Sequence, residues 1–279
     1  MKKLVVVVLA LLLIAGLGMT VAAEEKAPSV TVTVTVADQG ALVVTQESVA
    51  VTDADEDGAL TIGDALYAVH EAKYTGGAAA GYAIAQTEYG LSVVKLWGDE
   101  SGSIGYYLNH ASAWSLADAV KDGDTVYAFV YADGDFYSDM YTYFDAATVS
   151  VAAGEAVTLT LSGAGFDAEW NPVTVPVAGA VITVDGKATK VVTDGEGKAT
   201  LTVDSGVHII SATSETQTLV PPVCVATVES APVEQPQPDT EPKPEEIPQT
   251  GVQIDVLFVV LCLMGAAVLM GVTKNVYEK

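Results

Sequence analysis

The chain has 279 residues, a formal net charge of −24 and no arginine. A surface this poor in cations cannot neutralise a phosphate backbone, which excludes nucleic-acid binding, and an anionic membrane surface repels it. Acid excess favours solubility and the capture of cations.

Met1-Lys2-Lys3 is a short positive start, Leu4 to Gly18 is apolar, and Val21-Ala22-Ala23 places small residues before Glu24. This predicts a secretory signal helix over residues 1–23, removed from the mature protein and outside the fold. Of the two cysteines, Cys224 reads as a buried strand thiol. Cys262 lies in an apolar tail, so no disulfide framework is expected.

Residues 24–147 are dense in aromatics and read as an α+β unit. Ser29 to Val36 alternates apolar and polar residues, which predicts a strand. Asp38-Gln39-Gly40 turns the chain, and Ala41 to Thr52 returns as its hairpin partner. Ile62, Ala65, Leu66 and Val69 share one side of a helix predicted over 62–73, which Gly76-Gly77 ends. Leu91–Leu96, Gly105–Leu108 and Thr125–Ala132 read as further strands. A ββαββ order, with one helix across a mixed sheet, is a β-grasp-like arrangement.

Between the second strand and the helix lies Asp53-Ala-Asp-Glu-Asp-Gly-Ala-Leu-Thr-Ile-Gly-Asp64. Aspartates at positions 1, 3 and 5, with glycine at 6, are the pattern of an EF-hand calcium loop, and position 12 is Asp where Glu is usual. In that pattern Asp53, Asp55 and Asp57 present hard oxygens and Gly58 makes the sharp turn. Ala59 offers its carbonyl, Thr61 holds a ligand or its water, and Asp64 closes the shell. Without a cation these carboxylates repel one another, and an all-oxygen set suits Ca²⁺ better than zinc or magnesium. Thr61 and Asp64 also read as a helix capping box, and an acidic loop can be a solvated turn.

Asp53 to Tyr67, with Asp at position 12 leading into a helix, resembles the calcium loops of dockerins. Only one loop is present and a strand precedes it, so cohesin binding is not implied. The stretch from Val30 to Ala132 looks like the transcobalamin-like C-terminal β-grasp family of bacterial surface proteins. The residues that carry this are Thr61-Ile-Gly-Asp-Ala-Leu66, Tyr89-Gly90-Leu91, Gly105-Tyr-Tyr-Leu-Asn109 and Asp122-Gly-Asp-Thr-Val126.

Residues 148–229 are short alternating runs punctuated by Gly and Asp, the pattern of an all-β antiparallel sandwich. Gly179-Ala-Val-Ile-Thr-Val184 and Thr193-Asp-Gly-Glu-Gly-Lys-Ala-Thr-Leu201 are similar to Ig-like and prealbumin-like domains of bacterial surface proteins. Lys187 and Lys190 flank a turn, and no isopeptide staple is expected. Residues 230–246, rich in Pro, Glu and Gln, read as an extended, charged linker.

Residues 247–279 combine Ile247-Pro248-Gln249-Thr250-Gly251, an apolar segment over 254–273, expected to be helical, and a short polar tail. This resembles the sorting signal of Gram-positive surface proteins, with Ile247 where Leu is commoner. The resemblance implies that sortase cuts between Thr250 and Gly251 and couples the chain to peptidoglycan, an address read by an enzyme. A single-pass membrane anchor that is never cut is the alternative.

His70, His110 and His208 come with no nucleophile motif, metal triad or phosphate loop, so the chain reads as a non-enzyme. The expected function is a calcium-binding, wall-anchored binding or adhesion module for an extracellular protein or glycan. The alternative is a surface protein that binds a small molecule through Tyr106, Tyr107, Trp114 and Tyr131.

Overall fold

The computed structural model describes residues 28–88 and 90–230. The segments expected to be a signal helix and a sorting signal lie outside these residues, as do the expected linker after residue 230 and Tyr89. The protein is mostly β, and its described elements fall into a front and a back module.

The front module opens with β1 (Val30–Asp38) and β2 (Ala41–Val51), an antiparallel hairpin. Gln39 and Gly40 both take positive φ in the two-residue turn, the geometry that matches strand twist. Then come α1 (Ile62–Lys73), the single turn α2 (Ala78–Gly81), β3 (Ala83–Thr87), β4 (Gly90–Lys95), β5 (Ile104–Leu108), β6 (Ala111–Ser112) and β7 (Thr125–Val130). The main sheet runs β2-β1-β7-β5-β6, with β1 and β7 parallel and the other pairs antiparallel. The expected helix has the observed bounds. The expected strand over Leu91–Leu96 is present as β4, which pairs with β3 in a two-stranded ribbon outside the main sheet.

One face of this sheet is covered by α1. Its stripe of Ile62, Ala65, Leu66 and Val69 is buried against Val32, Val34, Val36, Val126 and Ala128. Each large apolar side chain buried this way contributes about 1.5–3 kcal/mol. The opposite face is buried too. Tyr127 and Phe129 alternate with Val126, Ala128 and Val130 along β7, so an unbroken apolar strand serves two cores.

The back module is built from β8 (Met140–Phe144), β9 (Thr148–Val151), β10 (Ala156–Phe166), β11 (Pro172–Pro176), β12 (Val181–Val184), β13 (Lys187–Val192), β14 (Lys198–Thr202), β15 (Gly206–Thr213), β16 (Leu219–Val220) and β17 (Cys224–Val228). One sheet runs β11-β10-β8-β16, with β14 also on β10. The other runs β13-β12-β15-β17-β9. Alternate residues from both, among them Leu159, Leu161, Ile182, Ile210 and Ala226, meet in one core. This is a two-sheet sandwich. β8 lies before residue 148, where composition placed the start of this module, yet it pairs with β10 and β16 of the back sheet.

Between the modules Tyr127, Phe129, Tyr141 and Val220 form a third core, with Tyr107, Tyr131 and Tyr143 packed on it. Gly105 sits opposite Phe129 across β5–β7, and a Cβ there would run into the Phe129 ring. Side-chain hydrogen bonds tie the joint. Tyr127 donates to the Pro221 carbonyl at 2.5 Å. Gln46, in a β-bulge at positive φ, sends its amide to the carbonyls of Ala147 and Val223.

Candidate metal centre

The loop from Asp53 to Asp64 is shaped by its own side chains. Asp53 accepts the N–H groups of Asp57 at 3.0 Å and Gly58 at 2.8 Å, and Asp57 accepts that of Ala59 at 2.8 Å. Glu56 and Gly58 take positive φ, and the chain doubles back on the carboxylates. One oxygen from each of Asp53, Asp55 and Asp57 lies within 4.8 Å of the other two. Loss of water, then the charges of Asp57, Asp64 and Asp53, push the Asp55 carboxyl above its ordinary value, against a lowering bond from the Asp57 N–H. Among the described residues no lysine pairs with these carboxylates.

Asp64 is held differently. It is buried, and both of its oxygens are taken. Oδ1 accepts from the Ala54 N–H at 2.8 Å, and Oδ2 accepts from the N–H and hydroxyl of Thr61 at 2.9 and 2.8 Å. With Asp64 N–H donating back to Thr61, this is a complete capping box on α1. The structure therefore brings Asp53, Asp55 and Asp57 together, while Thr61 and Asp64 are engaged as the helix cap. Ala59 contributes its amide to the loop. Ile247, Pro248, Thr250 and Gly251 lie outside the described residues.

A cavity of about 250 Å³ adjoins the loop. Ile84, Leu91 and Leu116 supply apolar wall, Tyr67 and Tyr82 supply rings, and Asp55, Asp57 and Asp64 supply charge. Tyr82 donates to the Gly63 carbonyl at 3.2 Å, which ties the start of α1 to β3. Burial raises the Tyr82 hydroxyl well above its usual range, and the charge of Asp64 raises it further.

The aromatics proposed as a ligand-binding set do not share this cavity. Tyr106 packs on the α1-side core, Tyr107 and Tyr131 pack in the joint, and Trp114 is 92% exposed. Tyr67 and Tyr82 were not singled out from sequence. Tyr67 extends the helical face that carries Asp64, a signal that was present but read only as helix.

The three histidines serve the scaffold. His70 is fully buried. Its Nδ1 donates to the Leu66 carbonyl at 2.6 Å, and its Nε2 accepts the Trp97 N–H at 3.0 Å. Burial holds its pKa down. His110 Nδ1 lies 2.9 Å from the Tyr141 hydroxyl, and His208 Nδ1 lies 2.8 Å from Asp185. Another acidic pair, Asp133 with Asp139, closes a turn. Asp139 accepts from the amides of Ala132 and Asp133, and Asp133 accepts from Phe136 and Ser138.

No protein-family model matches the chain, and no curated protein matches it. Among solved structures it is similar to the fibronectin(III)-like modules of Clostridium thermocellum CbhA, at 11% identity over 48% of this chain and 81% of that one, with a TM-score of 0.27. It is also similar to the N-terminal four Ig domains of Dscam1. Isoform 9.44 matches at 15% identity over 53% of this chain and 32% of that one, with a TM-score of 0.20. Isoform 7.44 matches at 12% over 73% and 46%, with a TM-score of 0.21. The chain spans less than half the length of either Dscam1 fragment. Strand pairing, rather than these likenesses, defines the class: a mostly-β protein with a two-sheet sandwich at its back.

Proposed function

We propose that this chain is a secreted, wall-displayed, non-catalytic binding or adhesion module whose front half is ordered by one calcium ion. The observation that carries the reading is the convergence of Asp53, Asp55 and Asp57 on one point with no lysine to balance them among the described residues. These three carboxylates would hold the ion, which would supply charge neutralisation and no reaction chemistry. Asp64 stays with the helix cap. A loop of this kind in an extracellular setting binds weakly, on the order of 10⁻⁴–10⁻³ M. Front strands ordered β2-β1-β7-β5 under one helix support a β-grasp-like assignment for that module, and the back sandwich supports an Ig-like one.

Calorimetric titration of the protein with calcium tests the site, with Asp53→Ala and Asp57→Ala as controls. Saturable heat that both substitutions abolish is expected. No heat at millimolar calcium would end the reading. For the sorting signal, Thr250→Ala should leave the wall fraction, and an unchanged wall fraction would refute sortase anchoring.

A further inference from the structure

We propose that the cavity beside the acidic loop is a binding site for a small organic cation, an apolar or aromatic body carrying a protonated amine. The cavity is a built feature of the fold and needs no ion in the loop. Its deep end is Leu116, fully buried, and its outer side is Ile84 and Tyr67, both partly open to solvent at 37% and 43%. The walls come from four separate segments: the loop, α1, the β3–β4 ribbon and the stretch that carries Leu116.

The chemistry of the lining selects the ligand. Apolar wall and two tyrosine rings reward a hydrophobic body. The charged groups in the lining are all carboxylates, Asp55, Asp57 and Asp64, so an anion is repelled. A neutral hydrophobe gains the wall but leaves the charge unbalanced. An ammonium group gains both, and Tyr67 and Tyr82 can add cation–π attraction. The full lining holds no Lys, and the chain holds no Arg, to do the same from within.

Ligand-observed NMR and calorimetry with the full-length protein test this, using benzylamine against benzyl alcohol. The amine should bind at least tenfold more tightly, and Tyr67→Ala should weaken it at least fivefold. The same Tyr67→Ala protein should keep the calcium isotherm of the wild type, since Tyr67 lines the cavity and is not one of the three clustered carboxylates. Equal binding of amine and alcohol, or no binding of either, overturns the proposal. So does amine binding that Tyr67→Ala leaves intact. Asp55 and Asp57 belong to both sites, so the amine is titrated in chelator and calcium is titrated without amine, and either reading can then fail while the other stands.

Discussion

The rings of Tyr107 and Tyr141 stack with centroids 3.7 Å apart and planes 10° from parallel. Tyr107 is on β5 of the front sheet and Tyr141 on β8 of the back sandwich, so this pair is the centre of the joint. Tyr141 is 2% exposed and also meets Tyr127 edge-on at 5.4 Å. Burial raises the Tyr107 hydroxyl to about 12, so the stack stays uncharged at neutral pH.

Tyr141→Ala is therefore expected to cost about 3–5 kcal/mol, the usual range for removing a large buried aromatic. Because the loss falls between modules, denaturant unfolding should change from one transition to two. A single transition with an unshifted midpoint would show that the joint contributes little.

Asp53 and Asp64 should behave in opposite ways. Asp53→Ala should abolish the rise in melting temperature that calcium produces. At an ion concentration near ten times the dissociation constant that rise corresponds to about 1.4 kcal/mol. Asp64→Ala should lower stability by roughly 2–3 kcal/mol with or without calcium, because it removes a cap and strands the buried N–H of Thr61. Thermal melts of both variants in calcium and in chelator check this. An Asp64→Ala loss that appears only with calcium would make Asp64 a ligand instead.

The contact of His208 with Asp185 sets a pH dependence. The bond to Asp185 raises His208 above 6.5, and the same bond lowers Asp185 below 3.8. The histidine contribution is fully present below about pH 6.5 and fades as pH rises through its raised folded value. The aspartate contribution is present above about pH 3.8 and fades as pH falls through its lowered one. The stability difference between wild type and His208→Gln should be greatest between about pH 4 and 6.5 and shrink above that. A difference that is constant from pH 4 to 9 would rule the pair out.

Cys224 is fully buried, and burial pushes its thiol up to about 11. The thiolate is the reactive form. In a Cys262→Ser background the native protein should resist thiol labelling at pH 8 and label fully once unfolded. Fast native labelling would contradict the packing of β17.

Much of the local structure was legible. The helix bounds, the β1–β2 hairpin and its turn, and the alternating strands of the back module follow from side-chain periodicity and turn chemistry, which act over a few residues. The acidic loop was legible as a loop with convergent aspartates. Asp64 was legible both as a position-12 ligand and as a capping residue, because one spacing serves both, and its hydrogen bonds with Thr61 and Ala54 show the capping role. The front aromatics divide between the two faces of the sheet: Tyr106 packs on the helix side, while Tyr107, Phe129 and Tyr131 lie on the opposite face, which Tyr141 and Val220 of the back module cover.

The sequence by itself determined the β1–β2 hairpin, the strands with the clearest alternation, such as β10, β12, β14 and β15, and where α1 begins and ends. It also determined that three carboxylates must crowd into one loop, since these depend on contacts between near neighbours in the chain. Tertiary structure alone decided that β8 joins the back sheet, that β3–β4 stands apart, and that a cavity lined by Tyr67, Ile84 and Leu116 opens beside the aspartates. Those outcomes rest on pairings between residues far apart in the chain, chosen by which apolar faces can be covered at once, and no local pattern encodes that choice.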